Sequence, residues 1–153
     1  MKTKNILLIF FLCCTSICFA QNKLFDKYSE MDNVTSVYIS KKMFQMMPSF
    51  DTNGLNLMNM KGKIEGLQVL STEDNTKKEN MRKDFKGLIS KDHEELMRVK
   101  DGNTRATFYV KQKGDLISEL IMLADTDKSF SVIQLIGNFT LQDIQEITKE
   151  MNK

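Results

Sequence analysis

Between Glu94 and Gly137 apolar and polar residues fall in runs of strand length, divided by three clusters of turn-forming residues. The clusters are Asp101-Gly102-Asn103, Gln112-Lys113-Gly114-Asp115 and Asp125-Thr126-Asp127-Lys128, built from residues that tolerate positive φ or bond their own backbone. Between the first two, Ala106, Phe108 and Val110 alternate with Arg105, Thr107, Tyr109 and Lys111, the period of a half-buried strand. Leu116 to Ala124 is apolar nearly throughout, interrupted by Ser118 and Glu119, and Phe130 to Ile136 is similar, so both read as central strands. Residues 90–99 fit either a continued helix or a first strand. The strand is preferred, because Glu95 to Lys100 runs directly into an Asp-Gly turn, and a hairpin needs two arms. The stretch therefore predicts a four-strand meander over about 94–137.

Upstream, Leu24, Phe25 and Tyr28 are spaced like a short helical turn, and Met31-Asp32-Asn33 reads as a turn. Val34 to Ile39 is rich in β-branched and aromatic residues and predicts a strand, with Ser40 placed to cap a helix carrying Met43, Phe44, Met46 and Met47 up to Pro48. Residues 49–63 lack a clean period and are read as loop with a short helical turn. Ile64 to Leu70 predicts a strand, and residues 71–75 supply caps for a helix with Met81, Phe85, Leu88 and Ile89 on one face. At the end, Thr140 and Asp143 form a capping box ahead of Leu141, Ile144, Ile147 and Met151. The order predicts an α+β domain with a mostly antiparallel sheet, helices packed on one face, and one right-handed crossover through the helix after the first strand.

The first twenty residues change that picture. Lys2 and Lys4, an uncharged run from Ile6 to Phe19, and small residues at Cys18 and Ala20 predict a signal peptide cut between Ala20 and Gln21. The run is too short for a comfortable membrane span, so no transmembrane segment is expected in the mature chain. Cys13, Cys14 and Cys18 follow Leu12, Cys13 and Ile17, where a lipoprotein peptidase wants a small residue, so a lipid anchor is disfavoured. Removal of residues 1–20 leaves one expected domain, 21–153. It has no cysteine, hence no disulfide or thiolate metal site, and its length suffices for a core without staples. Without Lys2 and Lys4 the 22 basic residues become 20 against 20 acidic ones, which removes any electrostatic footprint for nucleic acid. Lys77-Lys78 and Arg82-Lys83 share a helix with Glu79 and Asp84 and read as a solvated mixed-charge face.

Chemistry-bearing patterns are sparse. His93 is the single histidine, no G-x-S-x-G elbow, P-loop or dinucleotide fingerprint occurs, and a lone histidine beside an element end is far more often structural than catalytic. The acidic pairs Glu73-Asp74, Glu94-Glu95 and Asp125/Asp127 sit at turns and element ends, where carboxylates cap and solubilise. No catalytic residue and no cofactor is therefore expected. Methionine is the oddity: Met43, Met46, Met47, Met58 and Met60 bracket Pro48, and thioethers bind Cu(I). The same side chains fill adaptable cores and partner-binding faces, which is the preferred reading. Val34, Tyr38, Met43 and Met46 would edge an apolar groove for a lipid or peptide, against plain packing as the alternative.

The run Phe25, Tyr28-Ser29, Met31-Asp32 and Val34 to Lys41, the segment Glu95-Leu96-Met97 with Val99 to Gly102, Glu119-Leu120, and Ile136-Gly137 together resemble domain-of-unknown-function family 4252. The resemblance covers most of the mature chain and rests on strand and turn patterns without reactive groups. It implies a small exported protein of a Gram-negative bacterium, periplasmic or outside the cell, with an envelope-sensing or regulatory link by genomic association only. It also implies an aromatic residue where His93 stands. The molecular function expected is non-enzymatic binding of a protein or peptide partner in the envelope, with carriage of a small apolar ligand or Cu(I) through residues 43–60 as the alternative.

Overall fold

A computed structural model describes residues 16–46, 51–52, 55–56, 62–89 and 93–149. Helix α1 (Ser16–Ser29) runs through Ala20 and Gln21 and leads by a turn with Asn33 at φ +62° into strand β1 (Thr35–Ser40). Helix α2 (Lys41–Met46) follows at once, the Met43 N–H donating to Ser40 Oγ as the capping residue requires. Next come β2 (Asp51–Thr52) and β3 (Leu55–Asn56), then β4 (Ile64–Thr72) and α3 (Asn75–Leu88). Strands β5 (Glu94–Asp101), β6 (Thr104–Lys113), β7 (Leu116–Asp125) and β8 (Phe130–Phe139) precede α4 (Leu141–Lys149). Residues 94–99 are thus strand.

The domain is α+β. Its main sheet has six antiparallel strands in the order β1-β4-β8-β7-β6-β5. Gly102 (φ +56°) and Gly114 (φ +64°) each open a two-residue loop, in the left-handed conformation that glycine adopts without steric cost. Two expectations change. β1 and β4 are antiparallel neighbours, so α2 makes no crossover. It is α3 that carries the chain from β4, second in the sheet, to β5 on the far edge. In residues 49–63, Asp51–Thr52 pairs with Leu55–Asn56 as a two-stranded ladder instead of forming a helical turn. The Asn-Gly pair between them in the sequence favours a tight hairpin loop, which explains the difference.

The helices divide between the two faces of the sheet, which corrects the one-face expectation. On the front face Phe25 and Tyr28 of α1 and Met81 and Phe85 of α3 enclose a core with Leu70, Ile121, Leu123, Phe130 and Val132. On the back face Phe44 of α2 and Ile144 of α4 close a second core over Leu67, Phe108, Val110, Leu120 and Leu135. The physical reason lies in β4, β7 and β8, whose odd and even positions are both apolar, so each face has area to remove from water.

Candidate functional site

The two edges of the main sheet differ in chemistry. β5 carries Glu94, Glu95, Arg98, Lys100 and Asp101 and a register shift between Glu95 and Met97, the charges and irregularity by which sheets discourage added strands. β1, of sequence Thr-Ser-Val-Tyr-Ile-Ser, has neither charge nor proline, and pairs with β4 in unbroken register from Thr35↔Ser71 to Ser40↔Gly66. Among the described residues β4 is its one strand partner. Its outer backbone groups therefore lie along an edge that nothing in its own side chains protects. Val37 is 44% exposed and Tyr38 64% exposed, and alternation sends Val37 to the back face beside Val69 and Tyr38 to the front face beside Gln68.

Beside this edge, on the front face, α1, β1 and β4 border a groove of about 640 Å³. Phe25, Leu70 and Ile136 give it an apolar floor, and Ser29, Ser36 and Gln68 add polar groups. Gly66 belongs to the wall: a Cβ there would sit 3.7 Å from Tyr38 Cε2, in ordinary contact with the tyrosine ring that lies over β4. Asp26 and Glu65 are the charged residues of the lining, and both are acidic.

The groove continues inward as a lane of polar side chains across the front face. Tyr38, Gln68 and Gln134 are register partners on β1, β4 and β8. Gln134 Nε2 donates to Glu119 Oε1 at 2.5 Å, and Glu119 Oε2 lies 3.1 Å from His93 Nε2. The His93 and Glu119 side chains are 2% and 7% exposed, shut away from solutes. Gln68 Oε1, Gln134 Oε1 and His93 Nδ1 are the buried side-chain polar atoms without a hydrogen-bond partner among the described residues, and all three lie on this lane.

Two electrostatic clusters pin the helices that frame the site. Tyr28 Oη donates to Asp84 Oδ2 at 2.8 Å and Lys27 Nζ reaches the same oxygen at 3.0 Å, tying α1 to α3. The bonds from Lys27 and then Tyr28 hold the Asp84 carboxyl below the usual range, while burial, with the Asp84 bond second, pushes the Tyr28 hydroxyl up. At the other end Arg82 donates through Nε and Nη2 to both oxygens of Asp125, each at 2.7 Å, and these bonds first, with one to Glu79 second, raise its pKa further.

The sequence candidates distribute unevenly. Met43 and Met46 lie on α2 directly after β1, 46% and 71% exposed, and no methionine lines the groove among the described residues. Met47, Met58 and Met60 lie outside the described residues. Ala20 and Gln21 fall within α1. The groove's Gly66, Gln68, Glu65 and Asp26 carry no local motif; the first three are a glycine and two polar residues among the apolar positions of β4, and they become part of a site once β1 pairs with β4.

A family model, described as a domain of unknown function (DUF4252), matches residues 28–147, nearly the whole described fold from the end of α1 into α4. The chain belongs to this family. The DUF4252 match spans β1, both sheet edges and the polar lane, and takes in the groove lining except Phe25 and Asp26 of α1. No curated protein and no solved structure matches the chain. Among the described residues no helix of this DUF4252 member is long and apolar enough to cross a membrane.

Proposed function

We propose that this chain is an exported, non-enzymatic domain of the cell envelope that takes an extended segment of a partner protein as a seventh strand along β1. The observation that carries the reading is the asymmetry of the edges: five charges and a bulge on β5, none of either on β1. An added strand gains affinity from main-chain hydrogen bonds and specificity from pockets for alternate side chains. Both are on hand at β1, with Val37 on one face and Tyr38 and the groove on the other, and with Met43 and Met46 on the helix that follows. The leader supports the exported part of this reading: Lys2 and Lys4, the apolar run, and small residues before Gln21. The isolation of His93 and Glu119 from solvent supports a structural role for both.

Selection of a random peptide library on the purified chain, followed by amide hydrogen exchange, tests the reading. Binders are expected to slow exchange across Thr35–Ser40, and the double substitution Val37→Lys with Tyr38→Lys is expected to weaken them at least about tenfold by placing charge on the edge. Binders that protect β5 or the helices instead, or a selection that enriches nothing, would overturn it.

A further inference from the structure

Resting on the edge reading, we infer that the partner segment carries an arginine whose guanidinium enters the groove between α1 and β4. A strand added outside β1 lies two strand spacings, about 10 Å, from β4. Only a long side chain on the front face crosses β1 to reach the groove, and Ser36, small and exposed, leaves the way in beside Tyr38. Every charged group that lines the groove is a carboxylate, and neither Asp26 nor Glu65 forms an ion pair among the described residues. Gln68 adds a neutral polar residue to the same lining. The exposed Tyr38 ring lies along the wall, where a planar cation stacks. Guanidinium suits this set better than ammonium, because its fork of donors serves the two oxygens of a carboxylate at once while its plane lies on a ring.

The test uses nine-residue amidated peptides that alternate valine and threonine about a central arginine, lysine, glutamine or glutamate, titrated against the purified chain. The arginine peptide is expected to bind at least about tenfold tighter than the glutamate peptide and several-fold tighter than the lysine peptide. Glu65→Gln combined with Asp26→Asn is expected to erase the arginine preference while the glutamine peptide binds as before. Gly66→Val is the second probe. Its backbone has ordinary φ and its Cβ meets nothing closer than 3.7 Å, so it folds, and its bulk displaces the Tyr38 ring and removes the arginine preference without charging the edge. Equal affinity for all four peptides, with Thr35–Ser40 protected, would overturn the arginine assignment and leave the edge reading standing. Absence of binding by any peptide would overturn both, and a preference that survives in both variants would overturn the groove as its source.

Discussion

Gly137 and Gly87 show how far a single missing methyl depends on its surroundings. A Cβ at Gly137 would lie 2.2 Å from the Lys63 carbonyl oxygen and 2.4 Å from the Phe139 ring, where the Asn138 N–H already donates to that carbonyl at 2.9 Å. Gly137→Ala should therefore destabilise the fold by about 1–3 kcal/mol in urea unfolding, the cost of forcing packed groups apart. Gly87 lies in α3 with nothing within 4 Å of the same hypothetical atom, so Gly87→Ala should stabilise by about 0.5–1 kcal/mol through helix propensity. The carboxylates set the pH response. Asp84 is held low by Lys27 and Tyr28. At Asp143 burial pushes the carboxyl up, but the bonds from Lys63 Nζ and from the Thr140 N–H and hydroxyl together outweigh it. Both groups have folded-state values below the unfolded ones. Their stabilisation is thus complete above the ordinary carboxylate pKa of about 4 and is lost as pH falls through the lower folded values. The urea midpoint is expected to drop below about pH 4, and Asp84→Asn should flatten part of that drop while lowering the neutral-pH midpoint.

At the scale of elements, the turn between β7 and β8 depends on a residue that sequence patterning assigns to the solvent. Lys78 is 7% exposed, and its ammonium donates to the carbonyls of Thr126 and Asp127 at 2.9 and 2.6 Å. The same turn closes on itself through Thr126 Oγ1, which accepts from the Ser129 N–H at 2.8 Å. Lys78→Met keeps the stem and leaves two carbonyls without their cationic donor, so it should cost about 2–3 kcal/mol and speed amide exchange in residues 126–129 before the rest of the sheet. The Lys77-Lys78 and Arg82-Lys83 pairs look like a wet face because lysine and arginine normally are. What buries Lys78 and locks Arg82 onto Asp125 is a turn more than forty positions away, to which local periodicity is blind. Elements whose cause is local were legible: Gly102 and Gly114 at φ > 0, Ser40 and Asp74 as helix caps, and the Thr140–Asp143 capping box. For the site, Tyr38, Met43 and Met46 can be read as a rim from exposed apolar positions around β1. Gly66, Gln68 and Glu65 cannot, because only the β1–β4 register sets them beside that rim.

For the molecule as a whole, the two-sided packing follows from a feature that the sequence displays and that alternation in β6 obscures. Ala106, Phe108 and Val110 against Thr107 and Tyr109 suggest one wet face, yet Thr107 is 6% exposed and Tyr109 packs against the front core, while the continuous apolar runs of β7 and β8 require cover on both sides. The arrangement has an energetic signature. Phe25 and Phe85 meet edge-to-face with ring centroids 5.0 Å apart in the front core, whereas Ile144 belongs to the back core, with the sheet between. Substitutions on opposite faces share no partner, so Phe85→Leu and Ile144→Val should add to within about 0.5 kcal/mol. Phe85→Leu and Phe25→Leu remove the same ring contact and should depart from additivity by about 0.5 kcal/mol or more, the double variant losing less than the sum. A urea double-mutant cycle on the two pairs measures both terms. Coupling between Phe85 and Ile144 as large as that between Phe85 and Phe25 would mean that the helices share one core instead of covering two faces of the sheet.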